Sequence, residues 1–292
     1  MRRFFRRGWV KICALLLLAA LACVLVYAWN FAGDYMRPSN HPVALPKNFP
    51  VEQVTFPSAS GTTIHGWLVT SPTNHGVVIL QHGIHGDRSA LVTRAKLFSG
   101  AGYSVLMFDF QAHGESPGKQ ITFGYLESRD AQAAVAFVKT RFPHEPIAVD
   151  GVSLGAAAAA LAQPPLEVQA MVLEMVYPTI EEATKDRIEM RIGPAGRCLS
   201  FLLMWQIPLR SDFHAEDLRP LDAVAKIHAP KLFLAGTEDH ETKFAEAKAI
   251  FANAAEPKAF VPFEGAHHED LLRFSPELYK QSVLEFLKQN LK

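Results

Sequence analysis

A serine between two glycines is the residue in this chain best placed to do chemistry: Gly151-Val152-Ser153-Leu154-Gly155. Before it, Pro146-Ile147-Ala148-Val149-Asp150 is a short apolar run of strand character. After it, Ala156-Ala157-Ala158-Ala159-Ala160-Leu161-Ala162 is a strong helix former. A serine at the tip of a sharp strand-to-helix turn is held in a strained backbone conformation. Neighbouring chain passes so close to such a turn that only small residues fit, as Gly151, Gly155 and Ala156 would. The following helix points its N-terminal amides at the seryl oxygen, where negative charge develops during attack on a carbonyl.

A hydroxyl is a poor nucleophile until a base takes its proton, and the base needs an acid to orient it. Both occur downstream, in the order serine, acid, histidine. Residues 231–235 read as a buried strand followed by Gly236-Thr237-Glu238-Asp239-His240. Asp239 thus falls at a strand's C-terminal end, with Glu238 as the competing carboxylate. Residues 258–263 read as the last strand, and Glu264-Gly265-Ala266-His267-His268-Glu269-Asp270 sets a histidine pair in the loop beyond it. His82, His85 and His113 come with no H-E-x-x-H pattern and no cysteine cluster, so neither a metal nor a cofactor is expected.

The elements that must position these groups alternate between two periods. Residues 51–57 and 64–70 read as an antiparallel opening pair, and 76–81, 104–108 and 170–175 as short buried strands. Residues 88–101 and 125–141 have helical spacing. Strand–helix alternation of this kind predicts a mostly parallel sheet covered on both faces. About fifty residues separate the strand ending near 175 from the one at 231. That stretch reads as two helices between Pro178 and Pro208, the second at Cys198-Leu199-Ser200-Phe201-Leu202-Leu203-Met204-Trp205.

With these segments in place the chain resembles the serine hydrolases of the α/β-hydrolase superfamily, near the single-pass membrane α/β-hydrolase-domain and Bem46-like proteins. Five segments carry the likeness: Gln81-His82-Gly83-Ile84-His85-Gly86, Phe108-Asp109-Phe110-Gln111-Ala112-His113-Gly114-Glu115-Ser116, Gly151 to Gly155, Gly236 to Asp239, and Gly265 to Asp270. Together they span roughly residues 50 to 292. The chain departs at Gln111-Ala112, where the family reads an arginine followed by glycine, and at His267, where it reads glycine. The resemblance implies an α/β-hydrolase fold with Ser153 as nucleophile, Asp239 as acid and His268 as base, His267 being the alternative. It also implies a small helical lid inserted over about residues 178–225, an ordinary helix packed on the core being the alternative there. It implies an oxyanion hole from the backbone N–H groups of Ile84 and Leu154.

Arg2, Arg3, Arg6, Arg7 and Lys11 precede an uncharged run over residues 12–29. As a helix that run is about 27 Å long, close to the ~30 Å hydrocarbon core of a bilayer. Trp9 at one end and Tyr27 with Trp29 at the other suit the two interfaces. Basic residues ahead of the span predict a cytoplasmic N-terminus and a catalytic domain on the opposite, extracytoplasmic side. A cleaved signal peptide is the competing reading, since Ala20-Leu21-Ala22 is a small-x-small site. Residues 1–29 are therefore expected to be anchor, residues 30–50, with Pro38, Pro42, Pro46 and Pro50, an extended spacer, and 51–292 the hydrolase domain.

Setting those five basic residues aside leaves 24 Lys+Arg against 29 Asp+Glu, a balance of about −5 that argues against nucleic acid as a partner. Cys13 and Cys23 lie in the apolar run, so Cys198 alone remains beyond it and packing must hold the domain. The expected activity is cleavage of a carboxylic ester or thioester of a lipophilic acyl substrate. Amide or peptide cleavage by the same residues and a non-catalytic binding or scaffold protein are the alternatives. Epoxide or halide chemistry is disfavoured, because those relatives carry aspartate rather than serine at the turn.

Overall fold

Apolar runs with no polar alternation, such as Val77-Val78-Ile79-Leu80, can only sit where both faces of a sheet are covered. In the computed structural model, which describes residues 2–73 and 75–291, they build an eight-stranded sheet. Within the first helix the described side chains are Trp9 and those from Lys11 onward. The strands are β1 (Glu52–Pro57), β2 (Thr63–Val69), β3 (Val77–Gln81), β4 (Ser104–Phe108), β5 (Ile147–Val152), β6 (Ala170–Glu174), β7 (Lys231–Gly236) and β8 (Lys258–Phe263). Their spatial order is β8-β7-β6-β5-β3-β4-β2-β1. β1 pairs antiparallel with β2 and β2 antiparallel with β4; every other pairing is parallel.

Successive residues of β3 feed opposite cores. Val77 and Ile79 pack with alanines of α3 (Glu127–Arg141) and α4 (Leu154–Leu161). Val78 and Leu80 pack with Phe98 of α2 (Val92–Gly100) and Tyr279, Val283 and Leu287 of the C-terminal helix α6 (Pro276–Asn290). This is the α/β-hydrolase fold: a mainly parallel sheet flanked by helices, preceded by an apolar N-terminal helix. Alanine at 156–160 lets α4 lie close beneath the sheet, and all five side chains are buried.

Two stretches differ from the expectation. The N-terminal helix α1 (Arg2–Met36) does not stop at Trp29. No proline interrupts it before Pro38, and a proline disfavours the helical conformation in the residue ahead of it. Nor is the rest of 30–50 a free spacer. Ser39 N–H donates to Ala112 O at 2.8 Å and His41 N–H to Gly114 O at 2.9 Å, a strap in which Val43 is buried.

The stretch between β6 and β7 begins with the helix α5 (Ile180–Ile192), capped by the Thr179 hydroxyl, which accepts Glu182 N–H at 3.2 Å. The second helix is broken. Gly193 adopts φ 81°, residues 194–200 form a tight 3₁₀ turn, and only Phe201–Met204 and Ile207–Arg210 are α-helical. Pro194 and Pro208 bound a segment too short to propagate a long helix.

Candidate active site

Ser153 lies between β5 and α4 with φ 52° and ψ −107°. A non-glycine residue stays in that region only when its surroundings hold it there. Ser153 N–H donates to Glu174 O at 2.9 Å, and Ser153 O accepts Ala157 N–H at 2.9 Å. A Cβ on Gly151 would stand 2.6 Å from Gly155 C, and one on Gly155 2.4 Å from Gln81 O. Backbone on both sides leaves no room to yield.

His268, in the loop after β8, places Nε2 3.1 Å from Ser153 Oγ and Nδ1 2.7 Å from Asp239 Oδ2. A carboxylate oxygen only accepts, so Nδ1 carries the proton and Nε2 is free to take one from the serine. Asp239, in the loop after β7, is buried, and its Oδ1 accepts Glu241 N–H at 2.7 Å and Thr242 N–H at 2.9 Å. The neighbouring alternatives lie outside this line. His267 is 58% exposed and turns its Nδ1 to Glu238 O at 2.9 Å, while the Glu238 side chain is 62% exposed.

Ile84 and Leu154 line the same pocket as Ser153. Leu154 is the first residue of α4, so its N–H has no acceptor within the helix. Ile84 sits in a turn closed by Gly86 N–H to Gly83 O at 3.1 Å. His82 pins that turn: Nδ1 donates to Gly83 O at 2.7 Å and Nε2 accepts Phe110 N–H at 3.1 Å. Burial pushes the His82 imidazole down to about 4, which keeps the neutral ring this pattern needs. Burial pushes His113 down to about 3, and its ring packs on His82 at 5.0 Å. Among the described residues no group of three or more His, Cys, Asp or Glu is arranged to hold a metal ion.

Asp109 is a framework residue. It accepts Arg88 N–H at 2.7 Å and Glu115 N–H at 2.8 Å, and it pairs with the buried Arg88 guanidinium.

Sequence reasoning missed two features. Beneath the serine lies a buried network in which Arg94 pairs with Glu174 at 2.9 Å and with Asp270 at 3.0 Å. The Tyr279 hydroxyl lies 2.8 Å from both Asp150 and Glu174. One O–H can donate to only one of the two carboxyl groups. Burial and the Glu174 charge push Asp150 well above the usual carboxylate range, so of the two carboxyl groups Asp150 is the one that more readily holds a proton to share with Tyr279. The available signals were two carboxylates, Asp150 and Glu174, in otherwise apolar strands. The second missed feature is the pocket wall. Phe31, Ala32, Tyr35 and Met36 of α1 line it together with Ser153 and residues between Ile180 and Arg210.

A family profile described as "Serine aminopeptidase, S33" matches residues 72–189. An uncharacterized protein of Mycobacterium tuberculosis is 30% identical over 238 residues, covering 79% of this chain and 75% of the relative. The α/β-hydrolase domain-containing protein WAV2 of Arabidopsis thaliana is 27% identical over 299 residues, covering 98% and 94%. Among solved structures, the Pyrococcus furiosus esterase Pf2001 superposes with a TM-score of 0.71 at 23% identity, over 88% of this chain and 100% of that one. The chain belongs to the α/β-hydrolase superfamily. Family and fold together support hydrolase activity in general terms.

Proposed function

We propose that this protein is a membrane-anchored serine hydrolase that cleaves a carboxylic ester or thioester of a lipophilic acyl substrate through an acyl-enzyme on Ser153. The observation that carries this reading is the unbroken line Ser153 Oγ, His268, Asp239, at 3.1 and 2.7 Å. Ser153 Oγ attacks the substrate carbonyl carbon while its proton passes to His268 Nε2. Asp239 holds the ring and stabilises the imidazolium. The N–H groups of Ile84 and Leu154 receive the oxyanion. Collapse expels the alcohol or thiol, which takes the proton from Nε2. Water, deprotonated by the same nitrogen, then splits the acyl–serine bond and restores the hydroxyl.

Two further observations support the finer parts. Apart from Ser153 the pocket is mostly apolar, lined by Phe123, Leu154, Ile180, Leu203 and Ile207, which suits an acyl chain. Over Lys11–Met36, α1 is long and apolar enough to cross a membrane, and its side chains from Lys11 to Tyr27, such as Leu17 at 72%, are exposed rather than packed on the domain. The basic residues ahead of it orient the N-terminus to the cytoplasm and the catalytic domain to the other side. Amide cleavage is the second reading, favoured by the aminopeptidase description of the matching family.

A fluorophosphonate probe applied to wild type and to Ser153→Ala tests the mechanism. Labelling that disappears in the variant supports an activated serine, and its absence from folded wild type refutes one. Comparing p-nitrophenyl esters with aminoacyl anilides then separates ester from amide chemistry.

A further inference from the structure

α1 carries more than an apolar span. Its last two turns contribute Phe31, Ala32, Tyr35 and Met36 to the pocket that holds Ser153. The lid closes on the same stretch, where Ile188 and Leu203 pack with Ala28, Phe31 and Ala32. Arg210 fixes the contact, its guanidinium 3.7 Å from the Trp29 ring centre and hydrogen-bonded to Trp29 O. The catalytic pocket is therefore incomplete without the helix that the proposed function places in the bilayer.

Depth follows from helix geometry. Phe31 and Ala32 stand about 3–5 Å along the axis past Trp29. The headgroup zone on each side of a bilayer is roughly 5–7 Å deep. That is the level at which the ester groups of membrane lipids lie, with their acyl chains running back toward the hydrocarbon core. The segment that packs on α1 through Leu203 and Arg210 also carries exposed apolar side chains: Phe201 at 60%, Trp205 at 50% and Leu209 at 58%. In water such exposed side chains are unfavourable; in contact with a bilayer they are covered.

We propose that the substrate is a long-chain acyl ester resident in the bilayer. Its carbonyl reaches Ser153 while its acyl chain lies against the Phe31–Met36 face of α1 (residues 31–36). The anchor helix is then a specificity-determining wall of the site, and the lid's exposed apolar face docks on the membrane surface. This inference rests on the proposed serine hydrolase reading.

The test uses full-length protein in phosphatidylcholine vesicles and a dodecyl fluorophosphonate with a diazirine near the chain end. Captured on Ser153 and irradiated, it should crosslink to residues 28–36 and 201–207. Crosslinks confined to other segments, with Ser153 labelled, overturn the inference and leave the hydrolase reading standing. Absence of Ser153 labelling removes both. A second arm compares palmitoyl with butyryl esters of one fluorogenic alcohol. Ala32→Trp fills the α1 wall and should lower the palmitoyl-to-butyryl rate ratio about tenfold or more; an unchanged ratio in a labelling-competent variant counts equally against it.

Discussion

Arg94 Nη1 lies 3.0 Å from Asp270 Oδ1, so a buried guanidinium of α2 reaches the loop that carries His268. The same guanidinium pairs with Glu174, whose backbone carbonyl holds the Ser153 N–H. One side chain thereby braces the serine turn and the histidine loop against each other.

Arg94→Met tests that brace. Removing one partner of a buried pair leaves the Glu174 carboxylate uncompensated, which typically costs about 3–5 kcal/mol. Urea unfolding in detergent should show a loss of that order. A loss below about 1 kcal/mol would mean that the network contributes little beyond packing.

Asp150 supplies a pH dependence. Its folded pKa is raised by burial and by Glu174, so between the unfolded value near 3.8 and the raised one the native state binds the extra proton. Its contribution to stability is then present at low pH and declines as pH rises through that window. Asp150→Asn keeps a donor to Tyr279 and cannot ionise. Melting temperatures from pH 5 to 9 should fall less steeply in Asp150→Asn than in wild type; parallel profiles would contradict a protonated Asp150.

The two adjacent histidines separate cleanly. His268→Ala should lower kcat for a p-nitrophenyl ester by roughly 10⁴–10⁶, the scale of losing a triad base. His267→Ala, which alters an exposed ring beside Glu238, should stay within about tenfold. The reverse ranking would move the base to His267.

Gly155→Ala adds a single methyl that would stand 2.4 Å from Gln81 O. Backbone cannot give way as a side chain can, so the turn should be destabilised by about 3 kcal/mol, the upper range for overpacking. Thermal unfolding measures it, and fluorophosphonate labelling should fall with it.

Much of this was legible because it is local. β4 coincides with the run at 104–108, α4 follows from six consecutive strong helix formers, and the tight turn at Ser153 follows from its small neighbours. Which histidine faces the serine was not local. His267 and His268 share a loop, and only the path of the chain after β8 decides which ring turns inward. The Arg94 network joins residues 80 to 185 positions apart, so no window of sequence contains it. The end of α1 was misplaced because four prolines across 30–50 suggested one extended stretch. A helix end depends on where the first proline falls, and that is Pro38.

α1 runs without a break from Arg2 to Met36, so no swivel separates the apolar span from the pocket wall. In the proposed membrane arrangement the domain's compass bearing is then set by helix phase. One residue inserted after Trp29 would turn everything beyond it by about 100° and lift it about 1.5 Å, whereas an insertion of a near-whole turn would restore the bearing at a new height.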